Sequence, residues 1–116
     1  GALERFGLGA ASVRARNPRA VYCSITGFGS SGEGAAMPGY DFLVQALGGL
    51  MSITGDAGGE PRKVGVAMVD LLAANHAVMG VLAALLYRER SGAGQHVEVA
   101  LFSSLIASLA NQAGSY

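Results

Sequence analysis

The sequence of 116 residues is poor in charge, since only 14% of its residues are Asp, Glu, Lys or Arg. Ordinary soluble domains carry about 25%. Eight basic and eight acidic side chains cancel to a formal charge of zero. A balanced chain without a Lys/Arg cluster lacks the positive surface that binds nucleic acid or anionic membranes. We therefore expect neither a nucleic acid nor a membrane as partner.

Cysteine and histidine are also scarce. Cys23 is the single cysteine, which excludes an internal disulfide framework. The two histidines, His76 and His96, do not form a set of metal ligands at a useful spacing. We expect no metal site, and a reducing cytoplasmic compartment.

A targeting segment is not visible either, because the first residues lack an initiating Met, a basic region and an apolar core. The longest apolar run, 71–87, is shorter than the ~20 residues that span a bilayer, and is predicted to be a buried helix. Apolar residues are abundant at 51%, which excludes disorder. So much apolar surface with so little charge predicts a fragment whose surface the missing chain or a partner covers.

The apolar pattern predicts alternating helices and strands. Strands are expected at 20–26 and 95–100, helices at 3–16 (interrupted), 41–47, 71–90 and 102–112, and loops at 27–39 and 50–65. This order indicates an α/β fold with a mainly parallel sheet.

Residues 27–32 read Gly-Phe-Gly-Ser-Ser-Gly after a predicted strand, which fits the G-x-G-x-x-G pattern of dinucleotide-binding folds. The following residues, 33–39, include glycines and Pro38 and are not expected to open a helix. No acidic residue ends a second strand about twenty residues further on. A flexible loop is therefore favoured, and a nicotinamide-dependent oxidoreductase or nucleotide-binding module remains a distant alternative.

Asp70 is the only charge in the apolar run 65–74 and stands at the predicted start of the long helix. A carboxylate at this position commonly caps the helix, and the residues alone favour that role. The same position suits a nucleophile or a base, because the free N–H groups of a first turn stabilise an anion. The sequence around Asp70 is compatible with both roles.

Several separated segments together resemble the family III CoA-transferases, the group that contains formyl-CoA transferase. They are 17–29 with its N-P-R, strand and G-F-G pattern, 39–55, 65–70, 88–101, and the first residues, which resemble the family's G-x-[LM]-x-R-[LMF]-G turn. Family members are considerably longer, so the resemblance implies that 1–116 is an incomplete part of a large, Rossmann-like domain. The family's subunits interlock like linked rings, which implies a homodimer.

The resemblance implies a role for each matching residue. Asp70 corresponds to the family's nucleophile, Arg5 to a CoA-contacting arginine, and Pro38, Gly39, Tyr40 and Asp41 to the turn that lines the CoA thioester channel. The implied reaction moves CoA from an acyl-CoA donor to a carboxylic acid through aspartyl anhydride and thioester intermediates. CoA and acyl-CoA are then substrates, and no tightly bound cofactor is expected.

The same superfamily includes α-methylacyl-CoA racemases, which need two acid/base groups on opposite faces of the substrate. Their second group is a histidine in a G-H-D turn before the aspartate. Here the turn reads Gly39-Tyr40-Asp41, with Tyr40 thirty residues before Asp70. A phenol is a poor partner for α-proton exchange at neutral pH. Transferase is therefore favoured, and racemase is the alternative.

Overall fold

The computed structural model describes residues 2–115, which form two compact units. The first unit contains the residues up to Ser24 together with Ala77–Glu98, and the second contains Ile25–His76 and the residues from Val99 onward. Gly1, the first position of the N-terminal family turn, lies outside the described residues.

Five α-helices and two strands are formed by the described residues. In chain order they are α1 (Ala10–Arg16), β1 (Tyr22–Thr26), α2 (Asp41–Leu47), α3 (Met68–Ser91), β2 (His96–Ala100), α4 (Leu101–Ser108) and α5 (Ala110–Ser115). Short 3-10 turns occur at Glu4–Phe6, Glu33–Ala36 and Leu50–Ile53. Strands β1 and β2 pair in a parallel two-stranded sheet, which confirms the mixed α/β class.

The first unit is held by close packing at a glycine and by polar contacts. A Cβ at Gly80 of α3 would lie 2.7 Å from Val97 Cγ1, so the glycine lets α3 pack tightly on β2. The Arg14 guanidinium donates to the Gly94 carbonyl at 3.2 Å, and Tyr22 Oη donates to the Leu8 carbonyl at 2.9 Å. These bonds tie α1 and the segment before it to the strand region of the same unit.

The second unit contains a hydrophobic core. Its buried members come from three helices and are Val44, Val69, Ala73, Leu101 and Leu105. Partly buried side chains pack around them, namely Phe28, Leu50, Val99, Phe102 and Leu109. The core fixes α2 and α4 against the first turns of α3, where the candidate nucleophile lies.

Helix α3 begins at Met68, three residues before the predicted start at Leu71, so the assignment of Asp70 as an N-cap was wrong. Asp70 instead lies within the first turn. The predicted single helix 102–112 is two helices, separated at Leu109, whose N–H is shared between the carbonyls of Leu105 and Ile106. The predicted loops 27–39 and 50–65 each contain a 3-10 turn.

Helix α3 also corrects the prediction of a short, buried apolar run. It has 24 residues, and by length and composition alone it is long and apolar enough to cross a membrane. Only 22% of its most apolar window is buried by the described residues. The same length and composition are found in core helices of soluble proteins. Its exposed large apolar side chains are Leu71, Val78, Met79, Leu82, Leu86 and Tyr87.

Candidate active site

The turn predicted to line a CoA channel immediately precedes α2. Gly39 lies against Gly27, because a Cβ at position 39 would be 2.6 Å from Gly27 Cα. The two backbones are therefore in contact, and neither position has room for a side chain. Tyr40 is 66% exposed and occupies the N-cap position of α2 in an extended conformation. Its ring is accessible to a ligand.

The Asp41 carboxylate accepts hydrogen bonds from three donors. Its Oδ2 accepts from the backbone N–H groups of Val69 at 2.7 Å and Asp70 at 3.3 Å. Its Oδ1 accepts from the Gln45 side-chain amide at 2.5 Å. The first N–H groups of a helix have no partner within the helix. Asp41, on a different helix, therefore supplies the cap of α3.

Gln45 extends this network into the core of the second unit. Its side chain is fully buried, and its Oε1 accepts a hydrogen bond from the Val64 backbone N–H at 2.9 Å. The two partners fix the orientation of the amide, because Val64 requires an acceptor and the Asp41 carboxylate requires a donor. Gln45 thereby connects α2 to the segment that leads into α3.

Asp70 combines a fixed backbone with an exposed side chain. Val69 beside it is fully buried in the core, and the Asp70 N–H is bonded to Asp41. Within residues 2–115 the Asp70 carboxylate accepts no hydrogen bond and makes no ion pair, and the residue is exposed. A carboxylate in this state is available to attack an electrophile or to accept a proton.

A pocket of about 320 Å³ adjoins the first turn of α3. It is lined by Asp41, Phe42, Lys63, Gly65, Val66 and Ala67. Ala67 directly precedes Met68, the first residue of the helix. Lys63 is the cation among these lining residues, and its ammonium donates to the Val64 carbonyl at 3.4 Å. The lining is otherwise apolar or glycine apart from the acidic Asp41, so it has the size and character to take a short acyl or carboxylic acid group.

The structure brings two of the predicted site residues into direct contact, Asp41 and Asp70, and places Pro38, Gly39 and Tyr40 in the adjoining turn. Arg5 belongs to the first unit, where it lies exposed in the 3-10 turn Glu4–Phe6. Gln45 was missed by the sequence reasoning. The sequence does contain a clue to Gln45, because it is a polar residue inside an apolar helix. It also follows Asp41 by four positions, and residues four apart lie side by side on one face of a helix.

The glycine-rich segment does not form a dinucleotide-binding turn. Gly29 and Gly32 have φ angles of 99° and 81°, and the 3-10 turn Glu33–Ala36 follows instead of a helix N-terminus facing a ligand. Gly27 packs against the backbone of Gly39, so this glycine is not free for the backbone approach to a nucleotide that the pattern would require. The segment therefore supports the candidate site through packing.

His76 has a partner within the second unit. Its Nδ1 lies 3.0 Å from Oγ of Ser104, which is 3% exposed, so the pair joins α3 to α4. Among residues 2–115 no group of three His, Cys, Asp or Glu side chains is arranged to hold a metal ion.

Comparison with known proteins identifies the family. The sequence profile described as CoA-transferase family III matches residues 1–116. The succinate–glutarate CoA-transferase of Agrobacterium fabrum is 46% identical over 114 residues, which are 98% of this chain and 28% of that protein. The succinyl-CoA:mesaconate CoA-transferase of Haloarcula hispanica is 42% identical over 110 residues, 91% of this chain and 28% of that protein.

A solved structure gives the same result. The crystal structure of a CaiB/BaiF family protein from Brucella suis superimposes with a TM-score of 0.96 at 46% identity, over 100% of this chain and 31% of that one. The chain belongs to CoA-transferase family III, as the sequence resemblance predicted. It spans about 28% of the length of these curated relatives. It therefore corresponds to one part of a larger α/β fold.

Proposed function

We propose that the protein containing this chain transfers CoA from an acyl-CoA to a carboxylic acid, with Asp70 as the nucleophile. The observation that carries the proposal is the exposed, unpartnered carboxylate of Asp70 on a backbone held by Asp41. Membership of CoA-transferase family III supports the reaction class. The chain supplies the nucleophile and part of the binding site.

The reaction proceeds by acyl exchange on one carboxylate. Asp70 attacks the thioester carbonyl, which forms an acyl–aspartyl anhydride and expels CoA thiolate. The thiolate then attacks the aspartyl carbonyl, which releases the donor acid and leaves an aspartyl–CoA thioester. The acceptor carboxylate displaces CoA to form a second anhydride, and the thiolate attacks its acyl carbonyl to give the new acyl-CoA and free Asp70. Each step exchanges one acyl bond for another.

The binding of CoA is assigned to two places in the chain. The exposed Tyr40 and the turn Pro38–Gly39 before α2 are proposed to line the thioester channel, and Arg5 is proposed to contact CoA from the first unit. Residues 1–116 are proposed to be part of a Rossmann-like large domain in an interlocked homodimer. The proposed compartment is the cytoplasm, with no metal, tightly bound cofactor, nucleic acid or membrane involved.

Short dicarboxylic acids are the proposed acid substrates. The similar proteins named above act, by their names, on succinate, glutarate and mesaconate groups. Lys63 lines the pocket that adjoins α3 and offers a cation for the carboxylate that does not react. Lys63→Met should therefore raise KM for glutarate about tenfold or more and leave KM for a monocarboxylate of similar length unchanged. Equal effects on both acids would contradict this assignment.

The test of the nucleophile uses the full-length protein. Asp70→Asn should abolish transfer from succinyl-CoA to glutarate, by about 10⁴-fold or more, because no other nucleophile replaces the carboxylate. Asp56→Asn, in the polar loop, is the matched control and should keep wild-type activity. Hydroxylamine or borohydride added during turnover should modify Asp70, as peptide mass spectrometry would detect. Substantial activity in Asp70→Asn, or a label on another carboxylate, would refute the assignment.

The racemase alternative predicts a different product. Tyr40 replaces the histidine of the racemase turn, so the full-length protein should not exchange the α-proton of a 2-methylacyl-CoA in deuterium oxide. Mass spectrometry of the recovered thioester measures this. Deuterium incorporation at a rate comparable with CoA transfer would favour the racemase.

A further inference from the structure

Helix α3 has no cap of its own. The residue before it is Ala67, whose carbonyl accepts the Leu71 N–H at 3.2 Å but whose methyl side chain cannot accept a hydrogen bond from the first turn. Caps are normally Ser, Thr, Asp or Asn at this position. Asp41 fills the role from 28 residues before Val69. The position of the first turn, and with it the backbone of Asp70, therefore depends on where α2 holds the Asp41 carboxylate.

We propose that Asp41 and Gln45 are positioning residues for Asp70, and that the direction of the hydrogen bonds between them is required for CoA transfer. This inference rests on the proposed function of Asp70 as nucleophile. This role needs no contact between the Asp41 carboxylate and CoA, because it acts through the hydrogen bonds that both carboxylate oxygens accept from this chain.

The hydrogen bonds of this network run in one direction along the chain of side chains and end on Asp41. The Val64 N–H donates to Gln45 Oε1, the Gln45 amide donates to Asp41 Oδ1, and the first turn of α3 donates to Asp41 Oδ2. Gln45 is fully buried, so water is not available to replace a lost partner. Rotating its amide would place an NH₂ group against the Val64 N–H. The side chain at position 41 must therefore accept hydrogen bonds both from Gln45 and from the first turn of α3.

In Asp41→Asn, the amide has the same shape as the carboxylate, but it cannot accept hydrogen bonds at both of its terminal atoms. Its NH₂ group faces either the Gln45 amide or the N–H groups of α3, and both are donors. The first turn of α3 then shifts or loses its cap. A displacement of a reacting group by about 1 Å costs on the order of 100-fold in rate. The loss should appear in kcat, because the acyl-CoA contacts are made elsewhere.

Reversing the polarity of both residues restores every bond. In the double variant Asp41→Asn with Gln45→Glu, the carbonyl oxygen of the new amide at position 41 accepts from the N–H groups of Val69 and Asp70. The NH₂ group of that amide donates to one oxygen of the new carboxylate at position 45. The other oxygen of this carboxylate accepts from the Val64 N–H. The number of charges is unchanged.

The experiment compares four forms of the full-length protein: wild type, Asp41→Asn, Gln45→Glu and the double variant. Asp41→Asn should lower kcat about 100-fold with KM for acyl-CoA within about threefold of wild type. Gln45→Glu should also lose activity, because it places two carboxylates together. The double variant should recover kcat to within about tenfold of wild type and restore hydroxylamine labelling of Asp70.

Amide hydrogen exchange at Val69 and Asp70 provides a readout that does not depend on turnover. Exchange should be faster in Asp41→Asn and slow again in the double variant. The inference is overturned if the folded double variant is no more active than Asp41→Asn, or if Asp41→Asn raises KM for acyl-CoA and leaves kcat unchanged, as a direct ligand would. Absence of transfer by wild type would refute the proposed function, while the exchange pattern would still decide whether Asp41 and Gln45 hold the first turn.

Discussion

The two units of the chain are stabilised in different ways. The second unit buries Val44, Val69 and Leu105 completely in a core of branched side chains. In the described part of the first unit, the buried hydrophobic side chains are the small Ala77 and Ala84. The candidate nucleophile lies in the unit with the large core, which agrees with the need to hold a reacting group rigidly. The first unit instead exposes large apolar side chains on α3.

The largest stability difference between the units should come from leucine truncation in the 116-residue chain. Leu105→Ala should lower the free energy of unfolding by about 2–5 kcal/mol, because it leaves a cavity in a closed core. Leu82→Ala, at a position that is 60% exposed, should change it by about 0.5 kcal/mol or less. Urea unfolding followed by circular dichroism measures both. Similar losses would mean that the two units do not differ in this way.

Repeating Leu82→Ala in the full-length protein refines that comparison. A loss of about 2 kcal/mol or more there, against little loss in the 116-residue chain, would mean that another part of the protein covers α3. An equally small effect in both forms would mean that the face of α3 around Leu82 is exposed in the full-length protein as well.

A smaller stability effect is expected where the backbones of the second unit touch. Gly39→Ala should cost about 1–3 kcal/mol, because the new methyl group would lie 2.6 Å from Gly27 Cα and force the chains apart. Gly65→Ala is the matched control, since nothing lies within 4 Å of its Cβ position and its φ is not in the left-handed region. Thermal unfolding compares the two. A Gly39→Ala variant as stable as Gly65→Ala would contradict the contact.

The smallest effect is expected for the proposed contribution of the first unit to binding. Arg5→Met in the full-length protein should raise KM for acyl-CoA about tenfold, because a charged hydrogen bond to CoA is lost, and leave kcat unchanged. Arg16→Met, also exposed in the first unit, is the control and should have wild-type kinetics. A fall in kcat without a change in KM would argue against a CoA contact at Arg5.

Local sequence signals were sufficient for several elements. Helix α2 occupies 41–47 as predicted, because Pro38-Gly39 before it and Gly48-Gly49 after it are strong breakers. Strand β1 lies within the predicted 20–26, where β-branched and aromatic residues follow Pro18. In both cases the residues that determine the boundaries are adjacent in sequence to the element.

Other features depended on residues distant in sequence. The start of α3 was misplaced because its cap is Asp41, and capping rules consider only the residues next to the helix. The break at Leu109 has no glycine or proline to mark it. The burial of α3 was overestimated because apolar composition does not say which neighbour covers a helix. Asp70 stood out in the sequence as a lone charge in an apolar run, and the family resemblance predicts its role as nucleophile, whereas Gln45 required the three-dimensional network.

The buried amide of Gln45 also provides a spectroscopic probe of the site. Its nitrogen donates a hydrogen bond to the Asp41 carboxylate, and the residue is fully buried. Its two N–H signals in nuclear magnetic resonance spectra should exchange slowly with water, whereas those of the exposed Gln95 should exchange rapidly. Ligands that move the first turn of α3 should shift these signals without contacting Gln45. Gln45 can therefore report on the geometry around Asp70 before any reaction takes place.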